Sequence, residues 1–237
     1  MSRQGPEVAH QVGFLVNPVL RHSAAHVVVD NLEAPQLDET DQHHLFRVLR
    51  LRSGAVVTAT DGRGAWRECR VDASNTLVVN GATTNEPVRS STFGVAFVPV
   101  KAEKPETTIR QLVEVGVDEI IVIAPTRRAV AGARDRLVDR AERIVREACM
   151  QSRRVFLPAV HLGLSLNDVC ARSGAALADP EGAPLGHAHR LLIVGPEGGF
   201  DDGEVPGSVP RVGIGPAVLR AETAALVAGA RLAALHA

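Results

Sequence analysis

The sequence predicts an α/β protein in which a small β-rich domain precedes a larger domain built on a mainly parallel sheet. Short strand-like runs dominate residues 12–80, with turn-forming residues between them. From residue 93 onward, continuous apolar runs alternate with segments of helical periodicity, as is typical of a sheet covered by helices on both faces. The polar stretch 81–87 is typical of a linker. We therefore expect domains at residues 1–82 and 83–237.

The first domain is predicted to hold five short strands and one helix. The helix is predicted over about residues 39–51, with Leu45, Val48 and Leu49 on its apolar side. Five strands with one helix are typical of a small β-barrel. The strand-like runs are QVGFLV, HVVVD, AVVTAT, AWRECRV and TLVVN.

The second domain is predicted to alternate strands with three long helices. The predicted strands are residues 93–100, 119–124, 174–179, 191–194 and 211–215. The predicted helices are residues 105–115, 134–152 and 221–236. The middle helix has its apolar seam at Leu137, Ala141, Ile144 and Ala148, at the spacing of one helix face.

Composition narrows the functional classes. The chain has 237 residues, of which 45% are hydrophobic and 22% charged, a globular balance with a net charge of −1. No apolar stretch approaches the roughly 20 residues that a membrane helix needs, and we expect no signal peptide and a cytoplasmic location. The three cysteines form no CxxC pair, and His187 and His189 lack acidic or thiol neighbours, so we expect no metal.

A glycine-rich loop follows the strand at residues 191–194. The stretch LLIVGPEGGF runs from four aliphatic residues into Gly195-Pro196-Glu197-Gly198-Gly199. A phosphate-binding loop relies on backbone N–H groups and usually a lysine, but Pro196 removes one N–H and acidic residues follow. The loop therefore indicates a ligand other than a triphosphate or a dinucleotide.

A second loop of the same kind follows about twenty residues later, where Ile214-Gly215-Pro216 ends another strand. Ligands of open α/β sheets bind outside the carboxyl ends of strands. Two neighbouring strands ending in Gly-Pro would open one crevice, suited to a ligand that is neutral or cationic near its reacting atom. S-adenosylmethionine, a sulfonium, fits this description. Two ordinary loop-closing turns are the alternative.

Arg220 precedes the last predicted helix, which also carries Glu222 and Thr223 in its first turn. A positive charge at a helix N-terminus opposes the helix dipole. Its presence there indicates an anionic partner or a negative charge that develops during a reaction. A surface ion pair between Arg220 and Glu222 is the alternative.

Together, LLIVGPEGGF and VLRAETAAL resemble the signature of the small-subunit (16S) rRNA uridine-N3 methyltransferases, which belong to the SPOUT, or α/β-knot, superfamily. HHLFRVLRLRSG (43–54) and REACMQSRRVFLPAV (146–160) resemble further blocks of that family. The resemblance implies a C-terminal SPOUT domain with a trefoil knot and an N-terminal PUA-like β-barrel that binds RNA. It also implies a homodimer that binds S-adenosylmethionine and methylates N3 of a uridine in small-subunit ribosomal RNA, free or within the assembled small subunit.

The resemblance also implies roles for individual residues. Arg220 would stabilise charge on the uracil or orient the nucleotide, and Glu222 would hold Arg220 or take part in proton removal. The residues expected to bind the cofactor are Val194, Gly195, Pro196, Glu197, Gly198, Ile214, Gly215, Leu219 and Thr223.

RNA contacts are expected from local basic residues, because bulk charge does not favour a polyanion. His43, Arg47 and Arg50 would share one helix face, and no acidic residue lies between residues 42 and 60. Lys101 and Lys104 are the only lysines of the chain. Arg153 and Arg154 lack an acidic partner at helical spacing. A solvated basic face is the alternative for these positions.

Two other functions share these features. One is a SPOUT-type methyltransferase that acts on another RNA or another base atom. The other is a non-catalytic RNA-binding or ribosome-assembly protein that retains the fold. Methyl transfer to RNA separates the last from both enzymes, and the identity of the modified nucleoside separates the two enzymes from each other.

Overall fold

The computed structural model describes residues 17–99, 104–124, 126 and 134–236, without the side chains of 134–136 and 138–139. The predicted strand QVGFLV and Lys101 lie outside the described residues. The described chain forms two sheets, one in each half of the sequence.

The N-terminal sheet has five strands in the order β1-β2-β3-β4, with β5 also paired to β3. β1 and β2 run parallel, whereas β3 is antiparallel to its three partners. Val27, Leu45, Val57 and Cys69 are fully buried in its core. The elements are α1 (Pro18–His22), β1 (Ala25–Val28), α2 (Glu39–His43), β2 (Val56–Thr60), β3 (Ala65–Val71), β4 (Leu77–Val79) and β5 (Thr84–Asn85).

The helix predicted over residues 39–51 is shorter than expected. α2 ends at His43, a π-helical turn covers His44–Val48, and Arg50 has a left-handed φ of 54°. The π turn has more residues per turn than an α-helix, so positions after it rotate away from their expected face. Leu45 is buried as predicted, but Val48 and Leu49 are 56% and 42% exposed, so their predicted place on the apolar side is wrong.

The C-terminal sheet has six strands, all parallel, in the order β11-β9-β10-β6-β7-β8. This confirms the predicted α/β class. Its strands are β6 (Gly94–Phe97), β7 (Glu119–Ile123), β8 (Ala159–Leu164), β9 (Ala175–Pro184), β10 (Leu191–Val194) and β11 (Arg211–Gly213). Its helices are α3 (Pro105–Glu114), α4 (Arg134–Ser152), α5 (Leu166–Cys170) and α6 (Ala221–Leu235).

The helices cover the sheet on two faces. Alternate strand residues join two separate cores, one shared with α3, α4 and α6 and the other with α5. The predicted seam of α4 is confirmed, because all four of its residues are buried. α6 is rich in alanine and approaches α3 closely: a Cβ on Gly229 would lie 2.9 Å from Leu112 Cδ2.

The sequence reasoning did not predict β8, which pairs with β7 at one edge of the sheet. Its residues alternate between exposed and partly buried, and it contains His161 and Gly163, so it lacks the continuous apolar run of the central strands. Its alternating AVHLGL pattern is the period-2 signal that could have identified it.

A polar seam joins the two sheets through the segment that follows α4. Val155 O accepts hydrogen bonds from Gly64 N at 2.9 Å and Thr60 Oγ1 at 3.2 Å. His26 is 2% exposed and lies with Nε2 3.1 Å from Arg154 O and Nδ1 2.8 Å from Thr58 Oγ1. Because a carbonyl only accepts, Nε2 donates to it and Nδ1 accepts from the threonine hydroxyl, which is the neutral tautomer.

The buried His26 between the two sheets predicts that the folded protein loses stability in mild acid. Burial lowers the pKa of His26 from 6.5 to about 4. As the pH falls from 6.5 towards 4, the unfolded chain takes up a proton that the folded chain refuses, so His26 lowers the free energy of unfolding by up to about 1.4 kcal/mol per pH unit. Urea unfolding of wild type and His26→Gln between pH 7 and pH 4.5 should show the steeper fall in wild type. Equal pH slopes would contradict this assignment.

Candidate active site

A cleft of about 350 Å³ opens at the carboxyl ends of β9, β10 and β11. Its size is in the range of small-molecule sites, and its position is where parallel sheets bind ligands. The loops after β10 and β11 both line it. This confirms that the two Gly-Pro loops share one crevice.

β10 and β11 were expected to be neighbours in the sheet, but they are not. β9 lies between β10 and β11 and contributes Leu177, Ala178, Asp179 and Pro180 to the cleft wall. The sequence order of the strands carries no information on which strand separates them, so β9 could not be placed from the sequence.

Most residues predicted to bind a cofactor line the cleft. Gly198 and Thr223 do not, and Thr223 lies exposed on α6. The predicted residues that line the cleft are Val194, Gly195, Pro196, Glu197, Ile214, Gly215 and Leu219.

The wall from β9 is an irregular stretch of strand. Arg211 pairs with Leu177 but the next residue, Val212, pairs with Ala183, so residues 178–182 bulge from the ladder. Gly182 permits this bulge, because a Cβ there would clash with the backbone of Val212. The turn-forming stretch Asp179-Pro180-Glu181-Gly182 was the signal in the sequence that the strand is interrupted.

The floor of the cleft depends on Gly195. A Cβ at this position would lie 2.9 Å from Phe200 Cε2, and Phe200 is itself packed against the core of the sheet. The loop folds back through a hydrogen bond from Gly199 N to Pro196 O at 2.8 Å, which Gly199 supports with a φ of 70°. A side chain at residue 195 would therefore enter space that the loop and the cleft share.

The charged residues that line the cleft are mainly acidic. Among the described residues that line it, the acidic ones are Asp179, Glu197, Asp201 and Asp202, and Arg211 is basic. Arg211 Nη1 donates to Asp179 Oδ2 at 2.6 Å. The pKa of Asp179 lies below its usual value, first because the Glu181 N–H donates to its carboxylate and second because Arg211 does. An acidic lining of this kind favours a cationic ligand over a phosphate.

Arg220 lies at the rim of this cleft. It is the N-cap residue of α6 and is exposed, and its neighbours Leu219 and Ala221 both line the cleft. No ion pair joins Arg220 to Glu222 in the described structure, so the alternative of a surface pair is not supported. Glu222 is half-buried in the first turn of α6. The structure thus brings Arg220 next to the cleft wall.

The residues predicted to contact RNA are dispersed. His43, Arg47 and Arg50 are exposed on α2, the π turn and the residues after it, and together we call them the basic surface. Lys104 is exposed as the N-cap residue of α3. Arg153 is half-buried, and its Nη2 donates to Ser23 O at 3.1 Å.

For Arg154 the structure requires a correction. Its Nη1 donates to Val113 O at 3.0 Å and Val117 O at 2.8 Å, and its side chain is 14% exposed. Burial lowers the pKa of its guanidinium. The expected RNA contact is therefore wrong, because Arg154 instead supports the end of α3 from inside the protein. The sequence showed only that it has no acidic partner at helical spacing, and the carbonyls it meets are not visible there.

Neither a metal site nor a membrane span is found in the part of the chain that the structure describes. No group of three His, Cys, Asp or Glu side chains in this part could hold a metal ion. None of its helices is long and apolar enough to cross a membrane. His189 accepts a hydrogen bond from Gly186 N at 3.0 Å, and His187 packs its ring edge-on against His236.

Comparison with known proteins gives matches to both halves of the chain. An RNA methyltransferase domain matches residues 88–233, and an RNA methyltransferase PUA domain matches residues 37–78. A ribosomal RNA small subunit methyltransferase E from Mycobacterium bovis is 31% identical over 221 residues, which cover 81% of this chain and 83% of the relative. The enzyme of that name from Synechocystis is 30% identical, over 81% of this chain and 70% of the relative.

The fold is also found among solved structures. A ribosomal RNA small subunit methyltransferase E from Neisseria gonorrhoeae, bound to S-adenosyl methionine, superposes with a TM-score of 0.72 at 23% identity. The match covers 89% of this chain and 97% of that one. The likeness shows that this chain shares the overall fold of that structure, and the PUA assignment of the N-terminal half rests on the family match.

Proposed function

The chain belongs to the RNA methyltransferase family that includes the ribosomal RNA small subunit methyltransferases E, and on this basis we propose that it methylates N3 of a uridine in small-subunit ribosomal RNA. It is an S-adenosylmethionine-dependent rRNA methyltransferase. Methylation of rRNA follows from the family, whereas the choice of a uridine and of its N3 atom is what we propose.

One observation carries this proposal. The loops after β10 and β11 meet at a single acidic cleft, and Arg220 stands at its rim. The cleft fits S-adenosylmethionine by its donor set: carboxylates for cationic groups, aliphatic walls for the adenosine, and neither a lysine nor a phosphate loop among its described lining residues. Gly195, Glu197, Ile214 and Leu219 would hold the cofactor.

When bound, S-adenosylmethionine supplies an electrophilic methyl group. Uridine N3 carries a proton and becomes a good nucleophile only when that proton is lost, which leaves negative charge on the uracil carbonyl oxygens. Arg220 would stabilise this charge with the N–H groups of its planar guanidinium. Glu222, two residues further on, would take part in removing the proton. The walls of the cleft align the reacting atoms.

We further propose that the basic surface of the N-terminal domain, residues 1–82, anchors the RNA together with Lys101, Lys104 and Arg153, which belong to the second domain. The methyltransferase domain, residues 83–237, carries out the reaction. Aromatic residues are only 3% of the chain, so recognition relies on RNA shape and phosphates rather than on base stacking. A homodimer and a trefoil knot belong to this proposal through the family alone.

The basic surface gives a prediction of its own. Arg47→Ala with Arg50→Ala should weaken binding to small-subunit rRNA and reduce the slope of log affinity against log salt by roughly 2, because two phosphate contacts are lost. Filter binding between 50 and 300 mM salt measures this slope. Arg190→Ala with Arg231→Ala removes the same charge from exposed sites outside the basic surface and should leave the slope unchanged. Equal slopes in both double variants would assign the basic surface to solvent.

Methyl transfer in vitro tests the function. The full chain is incubated with methyl-labelled S-adenosylmethionine and one of four substrates: small subunits lacking the modification, naked small-subunit rRNA, large subunits or transfer RNA. Label in small subunits or their rRNA, recovered as N3-methyluridine, is the expected result. Label in another RNA would assign a different substrate, and label on another base atom would assign a different methylation site. Cofactor binding without transfer to any RNA would indicate a non-catalytic protein.

A further inference from the structure

Among the residues whose side chains are described, Arg146 forms the only ion pairs between the two domains. It lies on α4, and its Nη2 donates to Asp41 Oδ2 and lies 3.6 Å from Asp38 Oδ2. Glu142 is spaced to pair with Arg146 on the same helix, but the described structure pairs Arg146 with Asp38 and Asp41 instead. Both acids belong to the start of α2, the helix that leads to the basic surface.

Asp41 and Asp38 are well placed to hold this helix. Asp38 is the N-cap residue, and its Oδ1 accepts from Asp41 N at 2.7 Å. Asp41 is 4% exposed, and a carboxylate so deeply buried is costly unless it is paired. Arg146 therefore pairs with two carboxylates at the start of α2. One of them, Asp41, is buried, so water is a poor replacement for the arginine.

α4 also packs directly against the cores of both domains. Met150, one turn after Arg146, packs against the core of the N-terminal sheet. Ile144 and Ala148, on another face of α4, lie in the core that α3 and α6 share. α6 begins directly after Arg220. The basic surface and Arg220 are thus at two ends of one packed series of helices.

We propose that Arg146 is a positioning residue for the RNA substrate, one that fixes the basic surface at a set distance and orientation from Arg220. This inference rests on the proposed function. An RNA anchored on a rigid surface presents its target base to the cleft in a defined place, whereas a loosened anchor binds the same phosphates but misplaces the base. Loss of Arg146 removes none of the charged side chains of the basic surface, so its effect falls on turnover rather than on the charge that attracts RNA.

The chain offers a matched control for this test. Arg143 lies on the same helix, is 64% exposed and pairs only with Glu147 at 3.7 Å within the described structure. The variants are Arg146→Met, Arg146→Gln as a second form should the first not fold, Arg146→Lys, and Arg143→Met. Each is assayed for kcat and KM with small subunits isolated from cells that lack the enzyme, for affinity for S-adenosylmethionine by calorimetry, and for the salt slope of RNA binding.

The inference predicts that Arg146→Met or Arg146→Gln lowers kcat about tenfold or more. Cofactor affinity and salt slope should stay at wild-type values, Arg146→Lys should recover most of the activity, and Arg143→Met should match wild type. A kcat for Arg146→Met equal to that of Arg143→Met would overturn it. So would a parallel loss of cofactor affinity, or an Arg146→Lys variant as impaired as Arg146→Met. A wild-type protein that binds the cofactor but methylates no RNA would overturn the proposed function together with this inference.

Discussion

Arg220→Ala should lower kcat for rRNA methylation about a thousandfold, the scale of losing a charge-stabilising group from a transition state. Affinity for S-adenosylmethionine should fall only slightly, because Leu219 and Ala221 line the cleft whereas Arg220 stands at its rim. Single-turnover methyl transfer at saturating RNA, with calorimetry of the cofactor, separates the two effects. We also expect α6 to remain intact, since removing a cation from a helix N-terminus does not weaken it.

Arg231→Ala is the matched control for this variant. Arg231 is an exposed arginine on the same helix, beyond the cleft, and its loss should leave turnover unchanged. Arg220→Lys keeps the charge but not the planar fork and should fall between wild type and alanine. Turnover of Arg220→Ala within a few-fold of wild type would remove Arg220 from the chemistry.

Gly195→Val should weaken S-adenosylmethionine binding by roughly a hundredfold, or about 2.8 kcal/mol. Its Cβ would lie 2.9 Å from Phe200 Cε2, and Phe200 is partly buried against the core, which restricts its movement on that side. The added methyl groups must therefore enter the cleft or push the loop aside. Calorimetry of the cofactor measures the loss directly.

Gly207→Val controls for a valine placed in the same region. A Cβ at Gly207 meets nothing within 4 Å, and Gly207 does not line the cleft, so cofactor affinity should be retained. Thermal unfolding of both variants establishes that each is folded. Wild-type affinity in a folded Gly195→Val protein would exclude the loop after β10 from the cofactor site.

The sequence was most informative where one local rule decides the outcome. The seam of α4 and the aliphatic run of β10 follow from periodicity and burial, and both elements begin and end where predicted. The Gly-Pro loops indicated a crevice, because strand ends of a parallel sheet meet at one edge. Pro196 and the acidic residues around it correctly argued against a phosphate.

What the sequence could not predict depends on contacts between distant segments. β9 enters between β10 and β11 and adds Asp179 to the cleft, and no local pattern specifies strand order. Arg154 was interpreted from its missing helical partners, whereas its partners are two backbone carbonyls and Asp118, all about forty residues earlier in the chain. The π turn before Arg50 likewise follows from packing, and it rotates residues that a regular helix would have aligned.

Nucleoside mass spectrometry of ribosomal RNA tests the central claim most directly. Small-subunit rRNA from cells with and without this protein is digested and compared. We expect N3-methyluridine to disappear from small-subunit rRNA without the protein, to return with the wild-type chain, and to stay absent with Arg220→Ala. An unchanged level of N3-methyluridine in the small-subunit rRNA of cells that lack the protein would contradict the account.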